Sequence, residues 1–572
     1  MTSPSTHPLD TVSTLTAASQ TARSARLGGL LSLAPFLLLT FAFIFAGLTG
    51  HEPWKADEAY IFGIIHSILD DDSWLVPMLA GEPFMEKPPL YAWCAALLAR
   101  ALGGLLAEPD AARLVSGCFM AATCGAVAMA ARNWWGRGLG RFTPVMLIAC
   151  LGLTVQSHMM MPDVPLLTGF ALGAWAFSIM LTKPGPGGFL LGVGAGIGFL
   201  SKGLLGPGIL GLTALALPLL FVQWRSRRYA AGLANAFFIA IPMVTVWPAL
   251  LYLRSPVLFQ EWFWDNNFGR FFGFSAVSHG TEHIENFWVH TLPWFTFPAL
   301  PLAMLVVWRR WRDIGTHAGL QCGLVMTCIT LLVLSTSASM RAVYAMPLLV
   351  PLAILATPSV RMLHVTTGRV WITGSMLVFG AFGAVIWSVW SIMMATNAPP
   401  QWRWLTRLLP ADFTPDLQPA PVLVAIAVSI AAGILACRSR WLPAHGRPLL
   451  AWTAGLALVW TLLSTLWMPW LDYGKSYRVV FGNIPWPTSN RCIASINLGE
   501  SERAMLDYYT DRVTERQEIG AGRDCDLLLL QGYAATGING VDLAKWDLAW
   551  TGARPGDTWQ QFWLFREKHL AR

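Results

Sequence analysis

Charge is scarce in this chain. Asp, Glu, Lys and Arg make up 12% of its 572 residues, against the roughly one quarter with which a soluble domain covers its surface. So little charge cannot keep a whole surface in water, which excludes an ordinary soluble globular protein. Hydrophobic residues take the place of charge, at 55%. They come in runs of about 20 residues that recur from 27 to 469, the length with which a helix crosses a bilayer. The chain therefore reads as a polytopic α-helical membrane protein.

Other absences narrow the reading. The net charge of +7 is not laid out as a basic stripe interleaved with aromatics, so nucleic acid is not indicated as a partner. The positive residues sit instead in short clusters between apolar runs, around Arg132, Arg225, Arg309 and Arg438, as topology signals do. No internal repeat of fixed period stands out, and no tight metal-binding motif. Seven of the nine cysteines lie in or beside apolar runs and read as packing residues. Cys492 and Cys525 lie in the polar C-terminal region, where a disulfide can form if that region faces an oxidising compartment.

Residues 1–26 are rich in Ser, Thr and Ala and read as a disordered cytoplasmic tail, followed by an uncleaved signal anchor. About thirteen spans follow: 27–50, 113–131, 143–157, 164–182, 189–200, 204–222, 232–252, 288–308, 317–336, 341–357, 370–393, 421–437 and 449–469. The apolar piece 89–107 is read as an interfacial or re-entrant helix, since counting it as a crossing would put Arg132, Arg137 and Arg141 outside. The domain organisation expected is thus a membrane domain over 27–469, with outer loops at 51–112 and 253–287. After 470 the pattern changes to short strand-like runs, "CIASINL", "CDLLLLQGY" and "WQQFWLFRE", around a helix-like "SERAMLDYYTDRV". This is a small extracytoplasmic α/β domain over 470–572.

Polar residues gather on one side of this topology. In "KADEAYIFGIIHSILDDDSW" the pair Asp57 and Glu58 opens a short helix, with Ile61, Ile64, Ile65 and Ile68 at helical spacing. That helix is too short to span and is expected at the interface, apolar face down. Acids are ordinary helix-start residues, and the stretch alone does not separate that role from a chemical one. The next loop, "GEPFMEKPPLYAW", sets Glu86 and Lys87 before a double proline that fixes the backbone. Asp163 lies between prolines in "HMMMPDVPLL", a tight outer turn, and ionisable groups at membrane depth are usually functional. Lys202 interrupts the apolar "GFLSKGLLGPGIL", where a broken helix with an adjacent cation suits a phosphate or the lysine merely snorkels. A fifth segment carries Asn267, Arg270 and His283 among aromatics, groups that serve a sugar or a phosphate.

Together these segments resemble a family. "ADEAYIFGIIHSILDDDSWLVPMLAGEPFMEKPPLYAW" is similar to the first outer loop of the GT-C class of polyprenyl-phosphate-sugar-dependent glycosyltransferases, most of all the 4-amino-4-deoxy-L-arabinose lipid A transferase and protein mannosyltransferase-like group. The resemblance is carried by Asp57, Glu58, Trp74, Pro77, Gly81, Lys87, Pro88 and Pro89, and extends to Asp163, to Lys202-Gly203 and to "DNNFGRF" with His283. It implies a GT-C fold in a bacterial inner membrane, a periplasmic active site, and transfer of a sugar from an undecaprenyl-phosphate-type donor to an acceptor such as lipid A or another envelope glycan. Under it, Asp57, Asp163 and Glu86 are the catalytic candidates, with Asp57 as general base. Lys87, Lys202 and Arg270 would hold the donor phosphate, and Glu58, Asn267 and His283 would touch substrate. A divalent ion at Glu86 and His283 stays an open alternative. A transporter or flippase of a lipid-linked sugar is the competing reading, since broken helices and buried charge suit it too.

Overall fold

Backbone N–H and C=O groups in lipid can bond only to one another, so apolar runs of this length become helices. The computed structural model describes residues 33–274, 287–338, 340–437, 444–487, 492–522 and 524–568. Eight of its helices are long and apolar enough to cross a bilayer, or nine if one bent pair is a single span. The chain is a multi-span membrane protein. The expected thirteen crossings are not all realised as straight spans. Residues 143–157 form two short pieces, Phe142–Ile148 and Leu153–Gln156, and 288–308 forms Phe287–Phe295 and Ala299–Arg309, bent by 92° at Pro298. The two breaks face each other: Leu151 N–H donates to Phe297 O at 3.0 Å and Gly152 N–H to Phe295 O at 2.9 Å. Each supplies partners for backbone groups that the other leaves open.

The apolar piece after the double proline is the helix Leu90–Leu102, thirteen residues long. At a rise of about 1.5 Å per residue it is too short for a crossing. The expectation that the helix Asp57–Asp71 lies with its apolar face on the membrane is corrected. Ile61, Ile64, Ile65 and Ile68 are all buried within protein, in one cluster with Tyr91, Ala95, Phe481 and Leu529. The segment 253–287, expected as a loop, is helical at Pro256–Gln260, passes into a π-helical stretch at Glu261–Gly269 and continues to Phe272. Trp262 anchors that stretch against Phe199 and Trp247. Wide π turns commonly mark functional positions.

Two strands, β1 (Met78–Leu79) and β2 (Glu82–Pro83), form a tight hairpin whose turn residues Ala80 and Gly81 both take positive φ, as a two-residue hairpin turn requires. The C-terminal region contains a five-stranded mixed sheet of β3 (Ile493–Ile496), β4 (Glu515–Arg516), β5 (Leu527–Tyr533), β6 (Trp546–Gly552) and β7 (Gln560–Glu567), in the order β4-β3-β5-β7-β6. The four-leucine run in β5 follows from its central place. Leu527 and Leu529 face the helix side, Leu528 and Leu530 the other, and a strand covered on both faces reads as a continuous apolar run. Cys492 and Cys525 are disulfide-bonded at the start of β3 and just before β5.

The sheet domain is welded to the first loop. Gly63 lies so close to the helix Glu500–Thr510 that an added Cβ would stand 2.5 Å from Ala504 Cβ. Glu82 of the hairpin accepts from Arg503 at 2.7 Å and lies 3.3 Å from Arg516. Lys55 pairs with Glu502 at 2.8 Å, and Ser501 Oγ donates to Ala56 O at 2.9 Å. The loop and the sheet thus form one layer over the helices, and the position of Asp57 is set from both.

Candidate active site

Asp57 stands in the first turn of its helix, where unpaired N–H groups favour an anion. Its carboxylate is gripped by Arg341, with Nη1 to Oδ1 at 3.0 Å and Nη2 to Oδ2 at 2.7 Å. Tyr60 Oη donates to the same Oδ1 at 3.0 Å, and Lys87 Nζ donates to Tyr60 Oη. Burial alone would push the Asp57 carboxyl up, but Lys87 and Arg341 outweigh it and hold it down at about 2. Lys87 also lies 3.8 Å from Glu86, and Arg270 bonds Glu86 directly. Burial works against ionisation of Glu86 as well, and Lys87 and Arg270 reverse it.

A cavity of about 300 Å3 opens beside this cluster. Its lining includes the charged Glu86, Lys87, Lys202 and Arg270, the polar Asn266 and Asn267, and aliphatic and aromatic groups such as Leu205, Leu212, Val333 and Phe271. Lys202 is the last residue of the helix Pro184–Lys202 and bonds Asp163 at 2.7 Å, where Asp163 opens the helix Asp163–Met180. Its ammonium also sits 4.3 Å from the Tyr344 ring, a cation–π contact. Gly203 follows at φ +60°, and an added Cβ would stand 1.8 Å from Asn267 Oδ1. That glycine is what admits Asn267 to the wall, where the π-helical stretch also places Arg270.

Most of the residues singled out in the sequence therefore meet in one place: Glu86, Lys87, Lys202, Asn267 and Arg270 line the cavity, Asp163 bonds Lys202, and Asp57 is joined to the lining through Tyr60, which bonds both Asp57 and Lys87. Glu58 does not, and its reading as a substrate contact is corrected. It is fully buried on the far side of the helix, where Arg113 Nε bonds Oε1 at 2.7 Å and the backbone N–H groups of Trp54 and Met160 approach at 3.2 and 3.3 Å. His283 lies outside the described residues. Glu86 faces two cations, a setting that disfavours a divalent ion there. Among the described residues the one metal-like grouping of His, Cys, Asp and Glu is Cys492, Glu515 and Cys525, whose thiols are joined as a disulfide.

Sequence reasoning missed Arg341, Tyr60, Tyr344 and Glu500. Arg341 had one available signal: a lone arginine immediately before an apolar run, on the side that the expected topology makes the outer one, against the positive-inside bias. Glu500 comes from the sheet domain. Its carboxyl is raised by burial and by the nearby Glu86 charge, so the helix Glu500–Thr510 reaches the electrostatic field of the cavity.

The family model for dolichyl-phosphate-mannose-protein mannosyltransferases matches residues 86–252. The solved structure of ArnT from Cupriavidus metallidurans bound to undecaprenyl phosphate superposes with a TM-score of 0.65 over 94% of this chain and 97% of that one, at 15% identity. Its apo form gives 0.64 at 16% identity. The fold is the GT-C fold of membrane glycosyltransferases.

The relatives by sequence are narrower in kind. An undecaprenyl phosphate-alpha-4-amino-4-deoxy-L-arabinose arabinosyl transferase of Pseudomonas fluorescens is 26% identical over 379 residues, spanning 62% of this chain and 62% of the relative's length. The Pseudomonas aeruginosa protein of the same name is 27% identical over 451 residues, 75% of this chain and 74% of that one.

Proposed function

We propose that the protein is a glycosyltransferase that moves a sugar, 4-amino-4-deoxy-L-arabinose or a hexose, from an undecaprenyl-phosphate-type donor to lipid A or another envelope glycan on the periplasmic side of the inner membrane. The observation that carries this reading is the mixed lining of the cavity, which combines Lys87, Lys202 and Arg270 with aliphatic and aromatic walls. A phosphate with an isoprenoid tail needs both. The named relatives and the captured ArnT complex support the same donor class. The competing reading, a flippase of a lipid-linked sugar, is not favoured by the named relatives, which are transferases.

In the reaction, the acceptor hydroxyl oxygen bonds to the anomeric carbon while the bond from that carbon to the phosphate oxygen breaks. One such displacement inverts configuration. The hydroxyl proton passes to Asp57, and the electron pair leaves with the lipid phosphate. Lys87, Lys202 and Arg270 stabilise the charge that grows on that phosphate. Asp163 and Glu86 hold Lys202 and Arg270 at the cavity wall.

A carboxylate held near pKa 2 is a weak base, and general bases work best near the operating pH. Arg341 supplies the remedy. It is more exposed, at 43%, than Lys87, Lys202 or Arg270, and an arriving phosphate competes with Asp57 for its guanidinium. Donor binding would then loosen Arg341, lift the Asp57 pKa and arm the base when substrate is present. The test is purified protein in nanodiscs with a radiolabelled undecaprenyl-phosphate sugar and lipid A. Labelled lipid A supports the reading. Movement of intact donor between leaflets without product refutes it.

A further inference from the structure

A second, larger cavity lies in the sheet domain. Its volume is about 630 Å3, and it lies between Lys55, Asn497, the ends of β5 and β7, and the turn after β5. Charge in it is already balanced: Lys55 pairs with Glu502 at 2.8 Å and Arg554 with Asp557 at 2.6 Å. What remains on the wall is neutral and polar, with the side-chain amides of Asn497, Gln531, Asn539 and Gln560. Two aromatic residues complete it, Tyr533 and Trp559, which are 65% and 75% exposed.

The polar groups are not all satisfied. Glu502 Oε1 accepts from Lys55, Tyr477 and Gln560 Nε2 at 2.7–2.8 Å. That bond turns the Gln560 amide so that its Oε1 is buried with no partner, and Arg554 Nε is buried with none either. Buried polar atoms without partners are rare and call for an explanation. One orphan is an acceptor and the other a donor, and a hydroxyl is both. By the β5–β7 register, Gln531, Tyr533 and Gln560 share one sheet face, so the amides and an aromatic surface are presented together. Amides, an acceptor–donor pair, exposed aromatic rings and cancelled charge are the features that bind a neutral polyhydroxylated ring rather than an anion.

We propose that this pocket binds a neutral sugar residue of a glycan. Lys55 lies two residues before Asp57 in the chain, so the pocket and the candidate base are positioned by the same segment, and the bound sugar belongs to the acceptor. That last assignment rests on the proposed transfer reaction; binding itself does not.

The experiment is saturation-transfer difference NMR on the full chain in nanodiscs, with chitobiose and maltose as probes. Ring-proton signals from at least one disaccharide are expected. Trp559→Ala and Tyr533→Ala should weaken them tenfold or more, and both positions are exposed enough to leave folding intact. Asp57→Asn should bind as the wild type does, so a failed transferase reading leaves the sugar site standing. The proposal is overturned if neither disaccharide gives a signal, if both aromatic variants bind unchanged, or if millimolar inorganic phosphate displaces the sugar.

Discussion

Two ionic clusters share the first turn of the helix Asp57–Asp71. On its inner side Glu58 and Arg113 are sealed together at zero side-chain exposure, with Asp110 on the same guanidinium and backbone N–H groups on the carboxylate. On its outer side Asp57, Lys87 and Lys202 stay 12–16% exposed, and Arg270 and Arg341 more so. The first cluster ties the outer loop to the helix Glu108–Trp135 and the segment before Asp163. The second borders open volume. Adjacent carboxylates thus end in different settings: Glu58 is sealed among internal partners, while Asp57 pairs with a cation that is 43% exposed.

Breaking the outer cluster should cost activity rather than folding. Asp57→Asn is expected to lower transfer by about a thousandfold or more, with membrane protein level and donor binding near normal; near-normal turnover would remove Asp57 as base. Breaking the inner cluster should do the reverse. Glu58→Gln leaves the Arg113 charge buried and underpaired, a loss of about 3–5 kcal/mol. The expected readout is a collapse in the amount of folded protein in membranes, measured by fluorescence-detected size-exclusion, with donor affinity intact in whatever survives.

A smaller effect is expected at the join between the cavity and its wall. Gly203→Ala forces a side chain into a backbone conformation that glycine alone tolerates well and against Asn267. Donor affinity should fall about tenfold, equivalent to about 1.4 kcal/mol, while yield stays close to normal; unchanged affinity would detach Asn267 from the donor site. The finest test is electrostatic. The depressed Asp57 pKa contributes stability that is full above the usual carboxylate value of about 4 and is lost as pH falls through about 2. Arg341→Gln removes one of the two cations responsible, so the acid limb of kcat/KM should move upward from about 2 toward 4. A limb that stays in place would mean that Lys87 alone sets the Asp57 carboxyl.

The membrane class, the positions of nearly every apolar helix and the sheet-forming runs at the C-terminus were legible in the chain, because each rests on local composition and period. A run of about 20 apolar residues admits one backbone solution in lipid, and "CDLLLLQGY" reads as a strand wherever it is placed. The candidate cavity was legible in part for the same reason: Asp57, Glu86, Lys87, Asp163 and Lys202 stood out as charges where charge is costly. Which partner each of them takes was not. Asp57 and Glu58 have the same chemistry and neighbouring positions, and only the helix rotation sends one to Arg341, 284 residues away, and the other to Arg113. The isoleucine stripe likewise reads the same over lipid as under a protein layer; tertiary packing placed the sheet domain over it. Composition and period are properties of short stretches, whereas ion pairs, cavities and domain docking depend on which distant segments arrive at the same place.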